Sequence, residues 1–203
     1  MVAIITGDII NSNRYGASDW MRPLKEYLST LGSTPTDWEI YRGDEFQLRV
    51  MPEQALAVGI RIKALIKQLK GLDVRMAIGM GEELYTAEGI SESNGTAYQF
   101  SGRTFETLKE LKINLAVTTS NTHYNVTMNL LLKLALDFMD NWSQVSAETV
   151  AMAMDRPDDS QQGMAATLGI KQSAVSQRLK RARVDLVLEL LSYYKGTLKE
   201  LKP

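Results

Sequence analysis

The sequence predicts an α+β protein: a ferredoxin-like βαββαβ-αβ unit over residues 1–122, then an all-α helix-turn-helix unit over residues 123–203. Three observations carry this expectation. Strand and helix signals alternate through the first 120 residues, and from about Asn125 every signal is helical. Charge divides along the chain as well. Residues 161–203 hold eight Lys/Arg against three acids, whereas the other 160 hold 15 basic and 21 acidic groups. A basic end on an acidic body implies two functions in one chain, the basic end suited to phosphate backbones.

Each element has its own signal. "VAIITG" is a short β-branched run that stops at a glycine, as a buried strand does. "SDWMRPLKEYLSTLG" spaces Trp20, Leu24, Leu28 and Leu31 on one helical face, with Ser18 as N-cap and Gly32 as stop. "WEIYR" and "FQLRV" alternate as strands do and flank "GDE", a hairpin signal. A second helix runs from Pro52 to Gly71. "DVRMAIGMG" reads as a strand, "GTAYQFSGRTFETLKEL" as a third helix and "INLAVTTS" as a fifth strand. The first six elements predict an antiparallel sheet with helices on one face. Asp8, after strand one, and Asp44, in the hairpin, then meet at one sheet edge.

Beyond Asn125, "VTMNLLLKLALDFMDNW" and "VSAETVAMAMDR" are helical and "PDDS" is a break. "QQGMAATLG", "IKQ" and "SAVSQRLKRARVDLVLELLSYYKG" follow. Trp142 is expected to pack between the two parts.

Composition narrows the chemistry. Hydrophobic residues make up 44% and charged residues 23%, values of an ordinary folded chain. There is no cysteine and one histidine, His123, which excludes disulfides and thiolate zinc and disfavours Ser-His catalysis. Phosphate chemistry would rest on carboxylates and a hard cation. No apolar run approaches the ~20 residues of a membrane helix, and the N-terminus has neither a basic n-region nor a cleavage site. The expectation is a cytoplasmic protein without a membrane partner.

The sharper of two constellations is C-terminal. A helix-turn-helix needs a small residue where its helices cross, a glycine to turn, and an apolar residue to pack back. Ala165, Gly169 and Val175 fit those places. The second helix would present Gln172, Ser173, Ser176, Gln177 and Arg178 to base edges and phosphates in the major groove of double-stranded DNA. Lys180, Arg181 and Arg183 would follow along the backbone. The same residues also suit a helical hairpin with a solvated basic face, or one that docks another protein.

The second constellation is acidic. Asp8 and Asp44, with Glu45 beside them, have the donor type to hold magnesium or manganese on a nucleoside triphosphate. They equally suit a strand end and a hairpin turn. Arg103 stands on a helix whose other face is apolar.

Together, "IITGDIINS", "YRGDEFQ", "VRMAIGMGE", "GTAYQFSGR" and "AATLGIKQSAVSQRLKRA" resemble the SatD family over nearly the whole chain. The N-terminal part also resembles the catalytic domain of class III nucleotidyl cyclases, and "RGDEF" is similar to the GGDEF motif of diguanylate cyclases. That resemblance implies a cyclase-like palm fold that places two metal ions on a nucleotide, with Asp8 and Asp44 as ligands. The cyclase helix G-x-x-V-N-x-A-A-R supplies an asparagine and an arginine to ribose and phosphates. Here the register reads Gly95, Tyr98, Gln99, Ser101, Gly102 and Arg103, so Arg103 and Gln99 take those catalytic places. The late cyclase segment with its base-selecting lysine has no counterpart. The combined expectation is a DNA-binding transcriptional regulator, a homodimer, whose cyclase-like domain senses a nucleotide or metal or makes the dimer contact. The alternative is a metal-dependent nucleotidyl cyclase or related phosphoryl-transfer enzyme.

Overall fold

A computed structural model describes residues 1–201. The elements run β1 (Val2–Ile10), α1 (Ala17–Ser29), β2 (Trp38–Tyr41), β3 (Glu45–Val50), α2 (Pro52–Ile66), β4 (Asp73–Gly81), α3 (Thr96–Leu111) and β5 (Leu115–Thr118). Five helices follow: α4 (Thr122–Met139), α5 (Gln144–Asp155), α6 (Gln161–Leu168), α7 (Gln172–Ala182) and α8 (Val184–Thr197). The fold is α+β, with one five-stranded sheet in the order β2-β3-β1-β4-β5. β1 pairs antiparallel with β3 and β4, β2 with β3, and β5 joins β4 in parallel, so the sheet is mixed.

Side chains alternate across the strands and divide the sheet into two faces. Ile5, Ile9, Phe46, Leu48, Val74, Met76 and Ile78 share one core with α1, α2, α4 and α8. The opposite face carries Ile4, Thr6 and Asp8 of β1, and α3 lies on it. Ala97 and Tyr98 pack on Ile4, and Phe105 and Leu108 on Ala77 and Ala116. The helices of the first six elements, α1 and α2, share one face as expected, and α3 covers the other. Gly79 permits it, because a Cβ there would overlap the Ala97 carbonyl oxygen and the Ser101 amide nitrogen. The α3 backbone rests directly on β4.

Three boundaries differ from the sequence reading. α1 starts at Ala17 with Gly16 as N-cap, so Ser18 falls in the first turn. α2 stops at Ile66 rather than Gly71. Just past its end, the Lys67 ammonium donates to the Asp140 carbonyl oxygen at 2.6 Å and to Asp73 at 3.1 Å. The long C-terminal helix is two helices, broken at Arg183 in the left-handed region (φ 56°). The Trp142 indole N–H donates to the Ala182 carbonyl at 2.9 Å, taking the acceptor that a continuous helix would use. α8 then turns back onto the sheet half, where the Tyr194 hydroxyl donates to the Pro52 carbonyl at 2.6 Å. One apolar core therefore runs from β1 through α4 and α5 to α8, across the expected boundary at residue 122.

Candidate functional site

The α3 face of the sheet holds the buried acidic residue of the sequence reading. Asp8 does not follow the first strand. It lies inside β1, opposite Glu45 of β3 on one side and Arg75 of β4 on the other. Its Oδ2 stands 3.7 Å from the Arg75 guanidinium and 3.8 Å from the Lys109 ammonium of α3. Burial pushes the Asp8 carboxyl up from its ordinary value, against the pull of Arg75 and then Lys109. Asp8 Oδ1 and Arg75 Nη1 are buried without a hydrogen-bond partner.

Asp44 stands near enough for its charge to help raise Asp8, but its own carboxylate is held by Ser12. The β2–β3 turn places Arg42 and Gly43 at positive φ, and Asp44 Oδ2 accepts from the Ser12 hydroxyl at 2.5 Å. Glu45, not Asp44, is the acid directly across from Asp8. The two-residue offset per sheet face explains this: Glu45, Gln47 and Arg49 share the α3 side of β3, while Phe46, Leu48 and Val50 fill the core.

Beside Asp8 a cavity of about 680 Å³ opens between the sheet and α3. Its lining includes Thr6, Tyr41, Arg42, Glu45, Gln47, Phe105 and Lys109. A hydrogen-bond chain fixes its floor: Gln47 donates to Thr6 at 3.3 Å, Thr6 to Ser101 at 3.1 Å, and Ser101 to the Tyr98 carbonyl at 3.1 Å. Gln99 and Arg103 are exposed and do not line this cavity; the α3 positions that do are Gly102, Phe105, Glu106 and Lys109. Sequence reading missed Arg75 and Lys109. A charged residue interrupting the apolar run "VRMAI" was the available signal for Arg75.

Two side-chain cations flank Asp8, Asp44 is bound to Ser12, and among the described residues no three His, Cys, Asp or Glu converge to hold a metal ion. The cavity walls are polar and aromatic with charges of both signs, Arg42 and Lys109 beside Glu45 and Glu106, and its size suits a small molecule.

The second site is helical. Ser160 caps α6 by accepting from the Gly163 amide at 3.1 Å. Gly169 turns the chain at φ 63°, and the Ile170 amide donates to the Ala165 carbonyl at 3.1 Å. Val175 of α7 is wholly buried in one cluster with Met164 and Ala165 of α6. Gln172, Ser173, Ser176, Gln177, Lys180 and Arg181 are exposed along α7. Gln172 bonds Gln161 of α6 at 2.6 Å. Arg178 departs from the outward row: it is half-buried and leans on Glu148 of α5 at 3.9 Å.

Comparison with protein families adds one finding. The SatD family model matches residues 1–192. The chain belongs to the SatD family. Comparison with curated proteins gives no match. In this SatD-family chain the match spans both halves of the molecule, the sheet with its cavity and the exposed face of α7.

Proposed function

We propose that this SatD-family protein is a DNA-binding regulator whose sheet half senses a small anionic ligand of the nucleotide class. In this reading β1 to β4, with α1 and α2, form a ferredoxin-like, cyclase-like palm, and α6 and α7 form a helix-turn-helix. The antiparallel order β2-β3-β1-β4 supports the first assignment. The glycine turn between α6 and α7 supports the second. The observation that carries the function is the exposed α7 row Gln172, Ser173, Ser176, Gln177, Lys180 and Arg181. Amides and hydroxyls suit base edges, and the two cations suit phosphates.

The alternative, a magnesium- or manganese-dependent cyclase, needs Asp8 and Asp44 available to cations and Arg103 and Gln99 beside them. Arg75 and Lys109 flank Asp8, Ser12 binds Asp44, and Arg103 and Gln99 lie outside the cavity. Sensing through Lys109 and Arg42, each loosely paired at 3.8 Å, with Asp8 and Glu45 respectively, is the better fit. A ligand bound there shifts DNA affinity only to the extent that it binds one arrangement of the chain better than another.

Fluorescence anisotropy tests the reading directly. The protein is titrated onto DNA from its own upstream region and onto a scrambled duplex near physiological salt, with and without ATP, GTP and manganese. Selective binding is expected, with Lys180→Ala weakening both duplexes and lowering the salt slope by about 1. Equal, weak binding to both duplexes overturns it. The Asp8→Asn variant separates the readings. Sensing keeps or tightens nucleotide binding in calorimetry, since a negative charge is removed, whereas a metal-dependent cyclase loses product formation.

A further inference from the structure

Six of the twelve exposed large apolar side chains among the described residues lie on two neighbouring helices. Val126, Leu130 and Leu134 of α4 are 66, 58 and 63% exposed, and Leu186, Leu188 and Tyr193 of α8 are 40, 47 and 45% exposed. The three on α4 recur every fourth residue and form one stripe. The opposite side of α4 is already buried through Tyr124, Met128, Leu132 and Leu136. A helix apolar on both sides belongs in a protein interior or a membrane. No helix of the described residues is long and apolar enough to cross a membrane. A further protein surface is what such a helix lacks.

Between α4 and α8 runs a groove of about 630 Å³, walled by Leu131, Leu134, Phe138, Leu186, Leu190 and Tyr193. Its charged members carry both signs: Arg183 and Glu189 along α8, and Asp137 on α4. Arg183 and Glu189 sit three positions before and after Leu186. From this we infer that the α4–α8 face is the interface of a symmetric homodimer. A twofold axis beside Leu186 lays α8 antiparallel on α8 of the second copy. Each Arg183 then meets Glu189 of the other copy, and the α4 stripes close over the flanks. An isologous contact requires such a self-complementary patch, apolar at its centre and of both signs at its rim. A partner of one dominant charge would leave Arg183 or the acids unmatched.

The dimer does not depend on the DNA reading, and sedimentation equilibrium of the full chain without DNA tests it alone. Wild-type protein is expected to be dimeric at about 100 µM and to dissociate on dilution. Leu134→Glu and Leu186→Glu are expected to be monomeric with unchanged circular dichroism, and to melt with the wild type at dilutions where both are monomers, since both sites are exposed. Arg183→Glu and Glu189→Arg should each weaken the dimer about 10-fold, and their combination should restore it. A monomeric wild type overturns the inference and leaves the face to a different protein. So does a Leu134→Glu variant that dimerises at wild-type strength, or a double variant no stronger than the singles.

Discussion

Lys63 has no solvent exposure and lies 2.6 Å from both Asp73 and Asp140, joining α2 to β4 and to the end of α4. Removing Lys63 leaves Asp73 to Lys67 alone and takes the cation from the partly exposed Asp140. Lys63→Ala is expected to cost about 2–3 kcal/mol, read as a lower urea midpoint. Asp8 carries the opposite lesson. Its carboxyl is raised by burial, so the fold disfavours the charged form, and Arg75 and Lys109 offset only part of that. The sign follows: its contribution to stability falls as pH rises through the folded value, instead of being lost in acid. Removing Lys109 as Lys109→Met should move the Asp8 titration further up, read by carboxyl carbon NMR. An unchanged midpoint would mean the ammonium at 3.8 Å is screened by solvent. The sequence flagged Asp8 as chemically special, yet it could not show which cations stand beside it. Arg75 is 67 positions away and Lys109 is 101, and only sheet register and the seating of α3 bring them together.

Among the elements, α3 owes its place to glycine. Gly79→Ala would drive a methyl group into the α3 backbone and is expected to cost on the order of 3 kcal/mol, lifting the helix and opening the cavity beside Asp8. Arg49 of β3 holds the far end of the same helix. It donates to Asp37 at 2.7 Å and to Glu83 at 2.9 Å, and the Tyr98 hydroxyl of α3 donates to Glu83 at 2.5 Å. The Ser33 amide first, and then Arg49, hold the Asp37 carboxyl below its ordinary value. Burial pushes Glu83 up, but Tyr98 and Arg49 together carry it below its ordinary value. Both lowered carboxylates stabilise the fold above the ordinary carboxylate range, and that stability is lost as pH falls through their folded values. In Arg49→Met both should titrate closer to the ordinary range, so acid unfolding begins at higher pH. Circular dichroism against pH reads this. At the C-cap of α3, Lys112 holds φ 53°, and Lys112→Gly is expected to raise stability by about 0.5–1 kcal/mol in thermal melts.

At the scale of the molecule, the two halves are locked by apolar packing and by polar pins. The Trp142 bond to Ala182, the Tyr194 bond to Pro52 and the Arg61–Asp155 pair at 2.7 Å all cross between the sheet and the helical end or within their junction. The sheet and the base of α7 are therefore joined through α2 and α5 by continuous packing, without a free linker. Trp142→Phe leaves the Ala182 carbonyl buried without its donor and is expected to cost about 1–3 kcal/mol. The same variant should weaken any effect of nucleotide on DNA affinity more than it weakens DNA binding itself, measured by anisotropy with and without ligand.

Sequence by itself determined the α+β class, the order of strands and helices through Thr118, the α6–Gly169–α7 turn and membership of the SatD family. Each of these is written in local signals: β-branched runs, helical periodicity, a glycine at positive φ, a motif of contiguous residues. Tertiary structure alone decided that α3 covers the second sheet face and that Arg75 and Lys109 flank Asp8. It also decided that Asp44 turns to Ser12, that Arg178 leans on Glu148, and that the last long helix breaks at Arg183. Those outcomes depend on contacts between distant segments. A glycine with no side chain, an indole supplying a hydrogen bond forty positions away, and a one-residue register that put Glu45 across from Asp8 leave no periodic trace in the sequence.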